Sequence, residues 1–320
     1  MNHKFESLYE KLPLKGKIEN SRKGWPAHHW ANNVGGIAHR WSSGNPQNFS
    51  YRPYALFELR RLDSNLIDEL SPAEKYDIYT GNYSYPLTTT VLKNLSPYEN
   101  DWHGICHGVA PASLNHEEPQ TVTLINRDGI EIKFYSSDVA ALLSYFYAEV
   151  SNSHTVLIGS RCNQESLESS SHDVACDDIN PGSFHIILTN RLGREGEGFI
   201  ADTDRFSEVW NHVAVDYVIN ERSEEPVTQS SSPGTFKRIR LETLVTYAAE
   251  IAPKFQSVIG TENAEYAQNT YEYILDLNHE GNVIGGEWVS EVRPDFVWTQ
   301  GKSSYMKEWY ALNEIYRPIP

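Results

Sequence analysis

The chain has 320 residues, 39% of them apolar and 22% charged, with 19 Tyr and 8 Trp, which is enough length and hydrocarbon for a sizeable core. A formal charge of -16 and a pI near 5.2 repel phosphate backbones and argue against nucleic acid as a partner. No apolar run reaches the roughly 18 residues of a membrane-spanning helix, and the opening "MNHKFESLYEK" lacks the apolar stretch of a secretory signal.

In chain order, residues 1–53 are dense in Trp, Gly, Pro and Asn ("KGWPAHHWANNVGGIAHRW") and read as irregular, ring-packed structure. From Tyr54 the beat of Leu59, Leu62, Leu66 and Leu70 predicts a helix. "SPAEKYDIY" starts another, with Ser71 as cap, Pro72 in the first turn and Glu74 closing a capping box. "QTVTLINRDGIEIKFY" alternates around Asp128-Gly129 and predicts a β-hairpin. "SSDVAALLSYFYAEV" is helical, capped by Ser or Asp, with Val139, Leu142, Leu143 and Phe146 on its apolar face. "SFHIILTN" and "GEGFIADTD" read as strands across the polar turn "RLGRE". Residues 221–235, "ERSEEPVTQSSSPGT", read as a polar loop, "LETLVTYAAEIA" as a helix and "TYEYILDLNHEGNVIGGEWV" as a second hairpin. Helices early and an antiparallel sheet late define an α+β chain. No stretch reads as a linker between independently folding domains.

Chemistry concentrates around "NDWHGICHGVAPAS", where Cys106 is one of three cysteines. On residue type alone it is a buried thiol, half of a disulfide, a metal ligand or a nucleophile. Cys162 and Cys176 flank a Ser-rich loop, and a disulfide there is worth roughly 3 kcal/mol in the chain-entropy picture. "CHGVAPA" reads as the start of a helix that Gly108 and Pro111 shorten or kink, and Gly104 permits close approach of a substrate backbone. His107 points away from its neighbour, so a base must come from elsewhere. His185 is the candidate, on a strand face with Ile187; the returning strand carries Asp202, placed to fix the ring's tautomer. The plainer alternatives are a satisfied core histidine and an exposed turn residue. "DLNHEGNVIGGE" sets Asp276, Asn278, Glu280 and Glu287 close to a calcium-loop spacing, with a metal-free hairpin turn as the competing reading.

The strings "DWHGICHGVAPAS", "SSDVAALLS", "INPGSFHIILTN", "DRFSEVWNHVAVDY" and "IGGEWVSEVRPDFVW", in that order, resemble the transglutaminase-elicitor family of oomycetes and their bacterial relatives. "GGIAHRW" and "LSPAEKYDIYTG" extend the likeness, which runs from about residue 25 to 300. It implies a papain-like core at 101–320 with an N-terminal helical, aromatic-rich region at 1–100 packed on it. It also implies protein-glutamine γ-glutamyltransferase activity, with a glutamine donor, a lysine or amine acceptor and an extracellular setting. Carried over by motif, Cys106 is the nucleophile and His185 the base, while Asp202, or else Asp138, completes the triad. Trp102 is a candidate oxyanion donor beside the Cys106 backbone N–H. The thioester chemistry needs no cofactor, although calcium stays open. The family's "VWNQP" stretch, which plants recognise, stands here as "VWNHV" (Val209 to Val213), which weakens an elicitor role. A cysteine peptidase, amidase or deamidase using the same triad is the competing enzyme reading; a non-catalytic secreted binding protein is the competing reading of another class.

Overall fold

The computed structural model describes residues 5–43, 51–95, 98–162, 178–204, 207–305 and 307–320. Its first elements are β1 (Lys15–Lys17), α1 (Leu56–Leu59), α2 (Ser64–Asp68), α3 (Pro72–Tyr79), α4 (Pro86–Lys93) and α5 (Cys106–Asn115). The hairpin β2 (Val122–Ile125) and β3 (Glu131–Phe134) leads into α6 (Ser136–Tyr145). Then come β4 (Thr155–Gly159), α7 (Pro181–Leu188), β5 (Phe199–Asp202), β6 (Asn211–Glu225) and β7 (Lys237–Ala248). The last are β8 (Tyr266–Leu277), β9 (Val283–Trp288), β10 (Phe296–Gln300) and α8 (Leu312–Ile315).

The chain divides into two compact units, each drawn from three separated stretches. The first holds residues 1–24, 154–249 and 266–300, and the second holds 25–153, 250–265 and 301–320. The boundary expected at residue 100 falls inside the second unit.

The second unit is helical. Its α3 starts as its sequence dictates: the Ser71 N–H donates to Glu74 Oε2 at 3.0 Å and the Glu74 N–H to Ser71 Oγ at 3.3 Å, behind Pro72. Arg40 adds a two-pronged pair to the same Glu74 carboxylate, at 2.6 and 2.9 Å. The leucine beat expected as one helix is broken into α1 and α2, because Asp63 caps the Asn65 N–H at 3.0 Å and restarts the chain. Leu59 and Leu70 are buried while Leu66 is exposed. The β2–β3 hairpin turns at Asp128-Gly129 with Gly129 at φ +79°, as its alternation predicts. The core centres on Leu142, Phe146, Phe134, Tyr76, Trp25 and Trp309.

The first unit is built on an antiparallel sheet in the order β4-β10-β5-β6-β7-β8-β9, with β1 pairing β6. Here two expectations from periodicity fail. "LETLVTYA" forms β7, whose side chains alternate between buried and half-exposed and which pairs along its length with β6 and β8. Two long partners outweigh a weak helical pattern in a stretch rich in Thr and Val. "SFHIIL", expected as a strand, is helix α7: Asn180 Oδ1 accepts the Gly182 N–H at 2.9 Å and Pro181 occupies the first turn. Its apolar face closes on the sheet through Phe184, which meets Phe199, Tyr271 and Tyr273 edge-on. A Cβ on Gly182 would sit 2.7 Å from the Gly285 carbonyl oxygen, so glycine sets the approach of α7 to β9.

Candidate active site

Cys106 is the first residue of α5, behind Ile105 in a non-helical conformation. The Gly108 and Val109 amides donate to the Ile105 carbonyl at 2.8 and 2.9 Å, which opens the helix there. The helix runs ten residues to Asn115 with Pro111 inside it. The thiol is half-buried, at the N-terminus of the helix, the end where the backbone dipole is positive. Both flanking glycines are required by packing. A Cβ on Gly104 would fall 2.4 Å from the His29 carbonyl oxygen, and one on Gly108 would fall 2.1 Å from that of Ser144. The close approach expected of a substrate at Gly104 is thus made by the chain's own residues 29 and 30.

A cavity of about 140 Å³ is lined by Gly104, Ile105 and His107 with Trp30, Tyr145 and Glu149; its wall takes in both neighbours of Cys106 but not Cys106 itself. Burial lowers the pKa of His107 below the ordinary value, with Glu149 opposing the shift. The wall mixes apolar side chains with the imidazole of His107 and the carboxylate of Glu149.

His185 and Asp202 belong to the other unit, on α7 and β5. The hairpin expected to join them does not exist, because His185 is helical. Its ring is buried in the core, with Nδ1 pairing the Tyr273 hydroxyl at 2.9 Å and that hydroxyl meeting Thr243 at 2.8 Å. Nε2 has no hydrogen-bond partner among the described residues. Burial drives its pKa down to about 3, so the ring as placed is neutral. Asp202 Oδ1 accepts the Trp210 N–H at 2.8 Å and the Asp204 N–H at 3.3 Å. Among the described residues no hydrogen bond joins it to His185.

Asp202 carries a different consequence. Burial raises its pKa to about 7, with neighbouring Asp295, likewise held near 7 by burial, adding to the shift. A carboxyl whose native pKa lies above its unfolded value stabilises the fold in its protonated form. That contribution is complete below about pH 4 and is lost as pH rises through about 7. The expected result is a melting temperature that falls between pH 5 and 8 more steeply in the unmodified chain than in Asp202→Asn. Parallel curves in differential scanning calorimetry would refute it.

The other sequence candidates resolve as follows. Trp102 is half-buried, its ring edge-on to His103 at 4.0 Å. Asp138 is fully buried: it accepts the Lys75 ammonium at 2.5 Å, the Trp41 indole N–H at 2.8 Å and the Tyr135 N–H at 2.8 Å, the last as helix cap of α6. The calcium-loop stretch is the β8–β9 hairpin. Arg238 binds Asp276 and Glu287, each at 2.8 Å, and Asn278 Oδ1 accepts the Glu280 and Asn282 N–H groups around Gly281. Arg238 thus takes one oxygen each of Asp276 and Glu287, and Asn278 Oδ1 is taken by the turn's own amides. Cys162 is buried, its N–H donating to Asp295 at 2.6 Å, and Cys176 lies outside the described residues.

Sequence reasoning passed over "HHW". His29 Nε2 reaches the Asp101 carbonyl at 2.9 Å and Nδ1 pairs with Glu250, more than two hundred residues away in the chain. His28, His29 and Glu250 form the one metal-ligand type of group among the described residues, with donor atoms within 4.8 Å of one another. As built it is a hydrogen-bond cluster: His29 commits both ring nitrogens, and His28 Nδ1 accepts the Trp30 N–H at 2.7 Å. Two adjacent histidines in a tryptophan-rich stretch were the available signal, but nothing local points to Glu250.

An antiparallel sheet with a packed helix, a helical unit and a half-buried thiol opening a helix define an α+β protein with a candidate thiol site. The comparisons agree. The family model described as transglutaminase elicitor matches residues 98–307, and the chain belongs to that family. Its fold is similar to that in the crystal structure of the GP42 transglutaminase from Phytophthora sojae, with a TM-score of 0.75 and 20% identity over 98% of this chain and 93% of that one. No curated protein matches the chain. Among the described residues, no helix is long and apolar enough to cross a membrane.

Proposed function

We propose that this chain is an extracellular protein-glutamine γ-glutamyltransferase with Cys106 as its nucleophile. The observation that carries the reading is the placement of a half-buried thiol at the first position of α5 in a chain of this family. The Cys106 sulfur attacks the side-chain carboxamide carbon of a protein glutamine. The C–N bond breaks, ammonia departs with a proton and a thioester remains. A lysine amine then attacks the thioester, loses a proton and releases the thiolate, leaving an isopeptide bond. The tetrahedral oxyanion calls for donors, for which the Cys106 backbone N–H and the Trp102 indole are the candidates. The chemistry itself requires no cofactor.

The base carried by family likeness is His185, oriented by Asp202. On this reading the His185–Tyr273 bond opens before the imidazole serves, because the ring as placed is neutral and interior. The deciding experiment offers the chain a glutamine-bearing protein and a labelled primary amine. Incorporation of label is the expected result. Deamidation without incorporation makes the protein a hydrolase, and chain cleavage makes it a peptidase. A His185→Gln variant that still incorporates amine removes His185 from the mechanism.

A further inference from the structure

The segment that leads into Cys106 is gripped from one place. The Ile105 N–H donates to the His29 carbonyl at 2.8 Å, and the Asn32 N–H to the His103 carbonyl at 2.8 Å. His29 Nε2 reaches the Asp101 carbonyl at 2.9 Å, and Asn32 Nδ2 donates to Glu99 at 2.7 Å. On the far side of the same ring, Nδ1 pairs with Glu250, whose own segment is bridged to Ala27. All these residues lie in the unit that holds Cys106. A carbonyl and a carboxylate face the two nitrogens, and both are acceptors. Only a ring carrying a proton on each nitrogen, or sharing one with Glu250, satisfies both.

We propose that His29, held doubly protonated between Glu250 and the Asp101 carbonyl, is a positioning residue that fixes the 100–105 segment and so aims Cys106. The consequence for catalysis rests on the reading of Cys106 as nucleophile; the geometry of the clamp does not. Among the described residues, the groups facing His29 include the carboxylates of Glu250 and Asp101 and the ring of His28, parallel at 5.1 Å between centroids. Burial works against the charged ring, but Glu250 and Asp101 outweigh it and hold the pKa of His29 above its ordinary value. His28 adds no competing charge near neutrality, since burial, with His29 next, lowers its own pKa to about 4. When His29 loses its proton, one of its two acceptors loses a donor and the clamp opens on one side.

The test begins with the unmodified full chain labelled with ¹⁵N-histidine. The His29 ring should stay doubly protonated past the ordinary histidine pKa of about 6.5. As it deprotonates, hydrogen exchange at the Ile105 amide should quicken by about tenfold beyond its intrinsic pH dependence, the loss of roughly one hydrogen bond. In Glu250→Gln the carboxamide can turn to donate to Nδ1 of a neutral ring, which leaves Nε2–H on Asp101. That variant should keep the segment protected across the same pH range without the step. With amine incorporation as readout, kcat should fall as His29 deprotonates while KM holds, and Glu250→Gln should lack that limb. A His29 that titrates at or below the ordinary value, or exchange at Ile105 that ignores both pH and variant, overturns the proposal. If the clamp behaves as described and no amine is incorporated at any pH, the transferase reading fails and the positioning role stands.

Discussion

Cys106→Ala is expected to lose amine incorporation by about 10³-fold or more while melting within a degree or two of the unmodified chain. The size follows from chemistry: without the sulfur no thioester forms, and what remains is whatever binding and oxyanion stabilisation supply. The small effect on folding follows from position. The side chain is half-buried at the first position of α5, and the contacts that fix this turn are made by Gly104 and Gly108 against the backbones of His29 and Ser144. Losing a partly exposed thiol there costs well under about 1 kcal/mol. Cys106→Ser should be nearly as inactive, because a serine hydroxyl is far harder to deprotonate than a thiol and is the weaker nucleophile. Labelled-amine incorporation together with calorimetry measures both quantities. Retention of activity within about tenfold in the alanine variant would move the chemistry to another residue.

The second large effect concerns Asp138, the alternative third member of the triad. Asp138→Ala should destabilise the helical unit by about 3–5 kcal/mol, since it leaves the Lys75 ammonium buried without its counter-charge. Both side chains are inaccessible to solvent, and the same change removes the α6 cap and the acceptor of Trp41. For a chain of this size that corresponds to a drop in melting temperature on the order of 10 °C. Lys75→Met combined with Asp138→Asn should recover part of the loss, because the pair is then removed together; a double-mutant cycle reads the coupling. A variant that melts like the unmodified chain yet incorporates no amine would place Asp138 in the chemistry.

The way each residue was legible differs. Ser71 and Glu74 declared a helix start through side chains that satisfy amides three residues apart, and Asp128-Gly129 declared a turn through backbone conformation. These signals are local, and the structure honours them. The same local grammar was present at Asn180-Pro181-Gly182, where it correctly marks a helix, but the apolar run after it resembles a strand equally well. Length and period do not separate the two for a short, fully buried segment. At β7 the opposite occurred: a weak helical period gave way to pairing with two long strands that no local signal announces.

The sequence by itself determined the α+β class, the family and the one cysteine set between packing glycines, because composition, caps, turns and ordered motifs all act over a few residues. Tertiary structure decided what each charged group faces. It turned His185 to Tyr273 and Asp138 to Lys75, committed Asp276 and Glu287 to Arg238, and drew His29 between Asp101 and Glu250. The physical reason is that the protonation and role of a buried polar side chain depend on its desolvation and its nearest partners. Those partners come from stretches of chain tens to hundreds of residues away, brought together only when the apolar cores close.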